Sequence, residues 1–592
     1  MNKRGVSIKY GDVAPEAKEN FESEIKLGEI TDFSDLKILK QYNVEFRNFA
    51  NPCELYQTVL DGSSEAFPEE PENESLGVWS EEVSDEFGDF VIPLVIELEA
   101  DAQYSSQGLT FTFDTQNNIY PREIGIRWLR ITDEGIEELA EESFEPDNAF
   151  YFCHRKVENY NKIIISFLNL NMPYNRLKLR AIDFGYGTYF TGKELRNVKV
   201  DQRINPISSE ITINTVDFTL DSKSDIEYSF QQKQPLTVYF NGNLLLTTFV
   251  SKSSRKSKML WSVQSEDYIG SLDDIRFPGG IYVNQNACEI IEEISALTNI
   301  PFEIEDIFRN STVSGYIPYT SCRDALMQVC FAIKAAVNTF GSSTVKIFSL
   351  SQNVSQIIPN ERIYQGQSSE ETETITSVSL VEHQYTESTE NVEIYKAESG
   401  TSNAEMLITF SEPLHSLSIT NGEILKDESG KRKCGANYAY IKANEGCVLS
   451  GKKYKHTEIR HTKRNPVVAV SDIPKDVEIK NATLVSSENA NTLLEYIYAW
   501  LSKTESVRAK IVDGMKEIIV NAAVYNEAVY NKVRYNGRGG IIYENDIPTK
   551  VGDIITVNRD YARGESSTFT GRIISASYNL NGNIIAKDVT IK

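Results

Sequence analysis

The chain has 592 residues, of which 40% are hydrophobic and 24% charged, the balance of an ordinary globular protein and too long for a single core; roughly 3–5 domains are expected. A formal net charge of −25 argues against a protein that grips nucleic acid by its phosphates, although an acidic wall past which DNA slides without adhering remains compatible with it. No stretch approaches the ~20 apolar residues of a membrane helix, so no membrane span is expected.

The N-terminal arm, 1–24, has a basic start with no apolar segment behind it. It is not read as a secretory signal, and folding in a cytoplasm is expected. A β-sandwich is expected over 25–175. Within it Asp61–Gly77, rich in Glu, Pro, Ser and Gly, reads as a linker. Val91–Leu98 reads as a buried strand and Leu109–Phe113 as a strand of period two, with Gly108 and Asp114 as punctuation; Ile124–Leu129 and Lys162–Leu168 add further strands.

A first β-barrel is expected over 176–280. Arg176–Ile182 and Ile211–Leu220 are its first strands, with a bulge near Thr215 where the apolar phase slips by one residue. Leu236–Phe240 and Leu244–Val250 flank Asn241-Gly242-Asn243, a hairpin signature. Lys252–Lys258 reads as a basic loop before a strand at Leu260–Val263.

An α/β module follows over 281–360. Ala287, Ile290, Ile291, Ile294 and Leu297 share one helical face, with Asn286 at the N-cap and Glu289 at the capping-box position. Ser321 and Asp324 open a second helix carrying Cys322, Ala325, Leu326, Val329, Cys330 and Ile333, and Val345–Ile347 returns to strand. The region 361–480 reads as irregular β. It is locally basic at Lys431–Lys433, Lys452, Lys453, Lys455, Lys463 and Arg464, either solvated loop tips or a patch that docks an acidic neighbour. A second barrel is expected over 481–592. It begins with a helix bearing Ala490, Leu493, Leu494, Ile497, Trp500 and Leu501. The strand Val551–Val557 follows, then a closing hairpin around Asn581-Gly582. The fold class is therefore mainly β with small α/β modules.

No chemistry is legible. Seven scattered cysteines without a Cys-x-x-Cys pair form neither a disulfide framework nor a zinc set. His154, His383 and His415 stand alone in sequence, and His456 and His461 are wrongly spaced for one helix face. No phosphate loop and no nucleophile elbow occurs. No catalytic residue, metal ligand or cofactor is assigned. Trp79 and Trp128 are candidate carbohydrate contacts, the alternative being core or inter-sheet tryptophans.

Three segments carry a resemblance. In Val313–Ile347, Gly315, Tyr316, Ile317, Pro318, Ser321, Arg323, Ala325, Leu326 and Gly341 match, in order, the strand–helix–hairpin segment of phage tail hub proteins. The helix Asn489–Leu501, the strand Val551–Val557 and the run Gly571–Lys587 resemble the final barrel of baseplate hubs and VgrG-type proteins. Ser105–Asp114 resembles the galactose-binding-like sandwich of some phage tail proteins.

The resemblance implies a homotrimeric virion structural protein at the tail tip. Two barrels per subunit would build a pseudo-sixfold ring that continues the hexameric tail tube. Its partners would be the tail tube or a distal tail protein, the tape-measure protein, and a spike, fibre or receptor-binding protein, with DNA passing transiently during genome ejection. Relatives often carry a hydrolase after the hub, and this chain stops at the last strand, so no enzyme activity is expected. The alternatives are a receptor- or glycan-binding adhesin for host attachment and a tail-associated cell-wall hydrolase.

Overall fold

A computed structural model describes residues 5–592, apart from 14–16, 18–19, 28–48, 51–64, 67–77, 81, 116, 133–134, 223–227, 229, 241–242, 258, 359–362, 364–365, 427–429, 431, 467–474, 520–532, 536–540, 546–548, 561–565 and 581–583. The molecule is mainly β, in several sheets with a few short helices, as its composition and periodicity predict. It divides into two compact units: Met1–Thr191 with Ile226–Ser229 and Gln234–Thr237, and Gly192–Asp225 with Phe230–Lys233 and Val238–Lys592.

The first unit is built on β1 (Val6–Val13), β2 (Asp89–Thr112), β3 (Ile124–Thr132), β4 (Gly135–Phe144), β5 (Phe150–Asn169) and β6 (Ala181–Thr191). β2 runs antiparallel to β5, and β5 to β3, which forms a hairpin with β4; β6 lies against both β1 and the end of β2. Period-two alternation puts Leu94, Ile96 and Leu98, Ile124, Ile126 and Trp128, and Ile163, Ile165 and Phe167 into one core. Three expectations are corrected. Val91 and Ile92 are exposed, because the pairing with β5 jumps from Asp89 to Leu94 and leaves the start of the strand out of register. Gly108 lies inside β2 at a register shift, with φ +145°, where a Cβ would run into the Cys153 carbonyl oxygen. Arg176–Ile182 is split, Lys178–Leu179 pairing with Val78–Trp79 before β6 begins at Ala181. The expected linker at Asp61–Gly77 falls, but for Glu65–Ala66, outside the described residues.

The second unit opens with β7 (Leu195–Arg203), β8 (Thr215–Asp221), β9 (Asn243–Arg255) and β10 (Leu260–Asp267). β8 buries Val216, Phe218 and Leu220 in strict alternation. Ile211 and Ile213 precede the strand rather than belonging to it, and the register irregularity falls in β7, between Arg196 and Lys199. Lys252–Arg255 continues β9 and is not a loop. Asn241-Gly242 and Asn581-Gly582 lie outside the described residues.

The α/β module that follows packs α1 (Ala287–Thr298) on α2 (Cys322–Ile333). The side chains of Asn286 and Ser321 accept from the amides of Cys288 and Asp324, 2.8 and 3.1 Å, and so satisfy donors that an open helix end leaves bare. Ile290, Ile291 and Ile294 meet Ala325, Leu326 and Val329 in the core, while Leu297, expected on the same stripe, is exposed.

The region expected to be irregular contains the longest ladder among the described residues. β11 (Ser377–Lys396) pairs antiparallel with β12 (Tyr438–Arg464) from Ser377↔Arg464 to Lys396↔Val448. Its two register shifts, between Glu387 and Asn391 and between Glu393 and Tyr395, break the period-two pattern in the sequence. Asp476–Ile479 runs parallel to β11, while Ala404–Thr409 and Leu414–Ile424 flank β12. α3 (Ala490–Leu501) buries Leu493, Leu494 and Ile497, and then come β13 (Glu505–Ile519), β14 (Ile554–Asp560), β15 (Ser566–Asn579) and β16 (Ile584–Ile591). The strand expected from Val551 starts at Ile554, because Val551–Asp553 is a turn with Gly552 at φ +100°.

Candidate functional site

Trp79 and Trp128 are buried, 1% and 0% exposed. Lys178 Nζ sits 4.7 Å from the Trp79 ring centre and the Arg180 guanidinium 5.3 Å from it, both buried with it. Trp128 packs edge-on against Phe144 at 6.4 Å, and its indole Nε1–H has no hydrogen-bond partner among the described residues. A sugar platform needs an open ring face, and neither tryptophan has one. Both are core residues, which corrects the expectation of carbohydrate contact.

The second unit brings two separated parts of the chain together. β8 pairs antiparallel with β10 and β10 with β9. β13 pairs in the same way with β16 and β16 with β15. In each set, then, the first strand lies beside the last and the last beside the one before it. An upstream segment adds an antiparallel strand to the outer edge of the first strand in both: β7 on β8, and Ser368–Glu371 on β13. The far edges are each met by a further segment, through one hydrogen bond in the first set and a ladder in the second. The Lys233 amide donates to the Val250 carbonyl of β9 at 2.8 Å, and β14 pairs with β15.

The two sets join directly. β7 pairs antiparallel with β15 from Lys199↔Asn579 to Arg203↔Ser575. One face of this junction buries Val200, Gln202, Ala576 and Tyr578; on the other Lys199 Nζ meets Asp201 at 2.6 Å. Asp267, at the end of β10, is a buried anchor behind the first set. It accepts from the Ile269 amide at 3.2 Å, the Asn214 amide group at 2.8 Å and the Thr339 hydroxyl at 2.6 Å. Burial, opposed only in part by these donors, pushes its carboxyl up to about 6.

The histidines are not all isolated. His383 on β11 and His456 on β12 are hydrogen-bonded, Nδ1 to Nε2 at 2.9 Å, and with Glu458 their ligand-capable atoms lie within 4.8 Å of one another. Burial, the largest cause, holds the His383 imidazole below its ordinary value, so it is neutral at pH 7. The sequence gives no sign of this group, because strand pairing brings together residues far apart in the chain. His461 is on the opposite face of β12, an odd number of residues from His456, and meets the buried Glu382 carboxylate at 2.7 Å. His154 lies beside Phe152 on β5, and His415 contacts the Ser388 carbonyl at 3.1 Å.

In the basic region Lys452, Lys453, Lys455, Lys463 and Arg464 lie in β12 rather than on loop tips, Arg432 and Lys433 lie outside the named strands, and Lys431 is outside the described residues. Lys463 pairs with Glu495, and Lys453 lies near Glu390 and Glu412 at 3.9 and 3.7 Å. The patch is partly neutralised by carboxylates of the same chain.

No protein-family model matches the chain, and no curated protein matches it. Among solved structures it is similar to the tail protein from Neisseria meningitidis MC58, with TM-score 0.38 and 10% identity over 67% of this chain and 95% of that one. It is also similar to the 43 kDa tail protein of prophage MuSo2 from Shewanella oneidensis, with TM-score 0.38 and 11% identity over 68% of this chain and 95% of that one. A third is the prophage tail protein gp18 from Listeria monocytogenes EGD-e, with TM-score 0.36 and 9% identity over 69% of this chain and 90% of that one.

Proposed function

We propose that the chain is a structural component of a phage-type tail: a trimeric hub that joins a sixfold tube to the tail tip and passes DNA or the tape-measure protein during ejection. The observation that carries this reading is the repeated strand order. β7–β8–β10–β9 and Ser368–Glu371–β13–β16–β15 share one pairing scheme and meet edge to edge through β7 and β15. Two alike modules in one chain give a trimer six alike modules, the number needed to meet a sixfold partner with threefold symmetry. The net charge of −25 fits a channel from which nucleic acid is repelled rather than retained. The role is structural, and the partners are tail components: tube or distal tail protein on one side, and a spike, fibre or receptor-binding protein on the other.

Mass photometry and electron cryomicroscopy of the purified chain test this. The expected particle has three copies of the 66.9 kDa chain and six similar lobes around a channel. A protein that stays monomeric across micromolar concentrations, or a ring whose channel is lined by arginines, overturns it.

A further inference from the structure

We propose that His383, His456 and Glu458 bind a divalent transition-metal ion of the zinc class, which clips β11 to β12. Across this ladder His383 stands opposite Glu458 and Tyr385 opposite His456. Alternation along each strand then puts all four side chains on one face of the sheet.

The hydrogen bonds fix where the lone pairs are. His383 Nε2 lies 2.9 Å from the Lys480 carbonyl oxygen, which only accepts, so Nε2 carries the proton. In the neutral ring Nδ1 is then bare and directed at His456 Nε2. An imidazole whose far N–H is held by a backbone carbonyl, with its other nitrogen aimed at a cluster of donors, has the tautomer and orientation that protein metal ligands have. The His456 ring is held nearly parallel to Tyr385, with centroids 4.7 Å apart and 6° between planes. Glu458 is exposed, so its carboxylate has room to swing in as the third ligand.

Tetrahedral coordination at bond lengths of about 2.0–2.1 Å puts ligand atoms about 3.3 Å apart. The 2.9 Å contact between the imidazoles need open by only a few tenths of an ångström, and rotation of Glu458 closes the remainder. On binding, His456 moves its proton from Nε2 to Nδ1 through water, so no net charge is released from the ring. Two imidazoles and one carboxylate suit zinc-class ions, whereas calcium and magnesium require oxygen ligands in greater number. Three protein ligands leave a fourth position for water or for a group from another chain.

The test uses the full chain, freed of metal by chelation and titrated with Co²⁺ while its visible absorption is read. One equivalent with tetrahedral bands is expected. His456→Ala and Glu458→Gln change exposed side chains, so folding is not at stake. Affinity should fall by about 100-fold in the first and about 10-fold in the second, the range in which even supporting residues of metal sites act. His461→Ala, on the opposite face, should leave affinity within about 2-fold, since it removes no ligand. Zn²⁺ should raise the melting temperature of the unaltered protein and not that of His456→Ala. Failure of the unaltered chain to bind Co²⁺, affinity unchanged in His456→Ala, or equal loss in His461→Ala overturns the proposal.

Discussion

The buried Asp267 carboxyl should make the first strand set less stable as pH rises. In the unfolded chain this group titrates near 3.8; in the folded one near 6. The folded state therefore holds a proton that the unfolded state has released between these values, and stability falls with rising pH across that window. Below pH 4 both states are protonated and the contribution is complete; above pH 6 it is gone. A shift of about 2 pH units corresponds to about 3 kcal/mol. Asp267→Asn removes the titration. Its side-chain oxygen still accepts from the Ile269 amide, but its NH₂ faces the donating NH₂ of Asn214, which cannot turn over because its oxygen accepts from the Arg203 amide. The variant should be weaker by about 1–3 kcal/mol at pH 4, where it loses a hydrogen bond, and should draw level by pH 7. Hydrogen exchange of peptides covering β8 and β10, measured in urea at several pH values and corrected for intrinsic rates, reads the local stability without assuming a single transition for the whole chain. If the difference between variant and parent stays constant within about 0.5 kcal/mol from pH 4 to 7, the reasoning about the carboxyl fails.

Gly315 has φ +143°, and a Cβ there would run into the Thr483 carbonyl oxygen, so Gly315→Ala should cost about 2–4 kcal/mol and lower the melting temperature. Trp128→Ala should lower stability by about 3–5 kcal/mol and unfold the first unit before the second in limited proteolysis; selective loss of glycan binding with an unchanged melt would contradict its placement in the core. Removing the His461 imidazole with Ala takes a partner from Glu382, whose side chain is 3% exposed, and should cost about 1–3 kcal/mol by urea denaturation; a neutral outcome would mean that water replaces the imidazole at no cost.

Local signals were legible in the sequence wherever one residue decides the geometry. Asn286 and Ser321 do cap α1 and α2, and the alternation of Val216, Phe218 and Leu220 does mark β8. Boundaries set by partners were not legible. Val91 and Ile92 look like core until the pairing of β2 with β5 is known to start in register only at Leu94. Lys252–Arg255 looks like a loop because its residues are polar, yet backbone pairing with β10 carries the strand through them. Trp128 shares its period-two phase with the buried Ile124 and Ile126, which marks it as core, whereas Trp79 sits on a two-residue strand whose pairing with Lys178–Leu179 no local pattern shows. The His383–His456 contact depends on the register of two strands whose intervening chain is long, which no motif with fixed spacing detects.

The seam between β7 and β15 also constrains how the protein is made. The sheet edge of β7 that will receive β15 is complete once Arg203 has left the ribosome, but its partner, Ser575–Asn579, is made hundreds of residues later. Until that segment emerges the nascent chain carries a bare edge, a template on which a neighbouring polypeptide on the same message can pair. A product cut short before Ser575 keeps that edge permanently, so premature termination should yield aggregates rather than a smaller soluble protein.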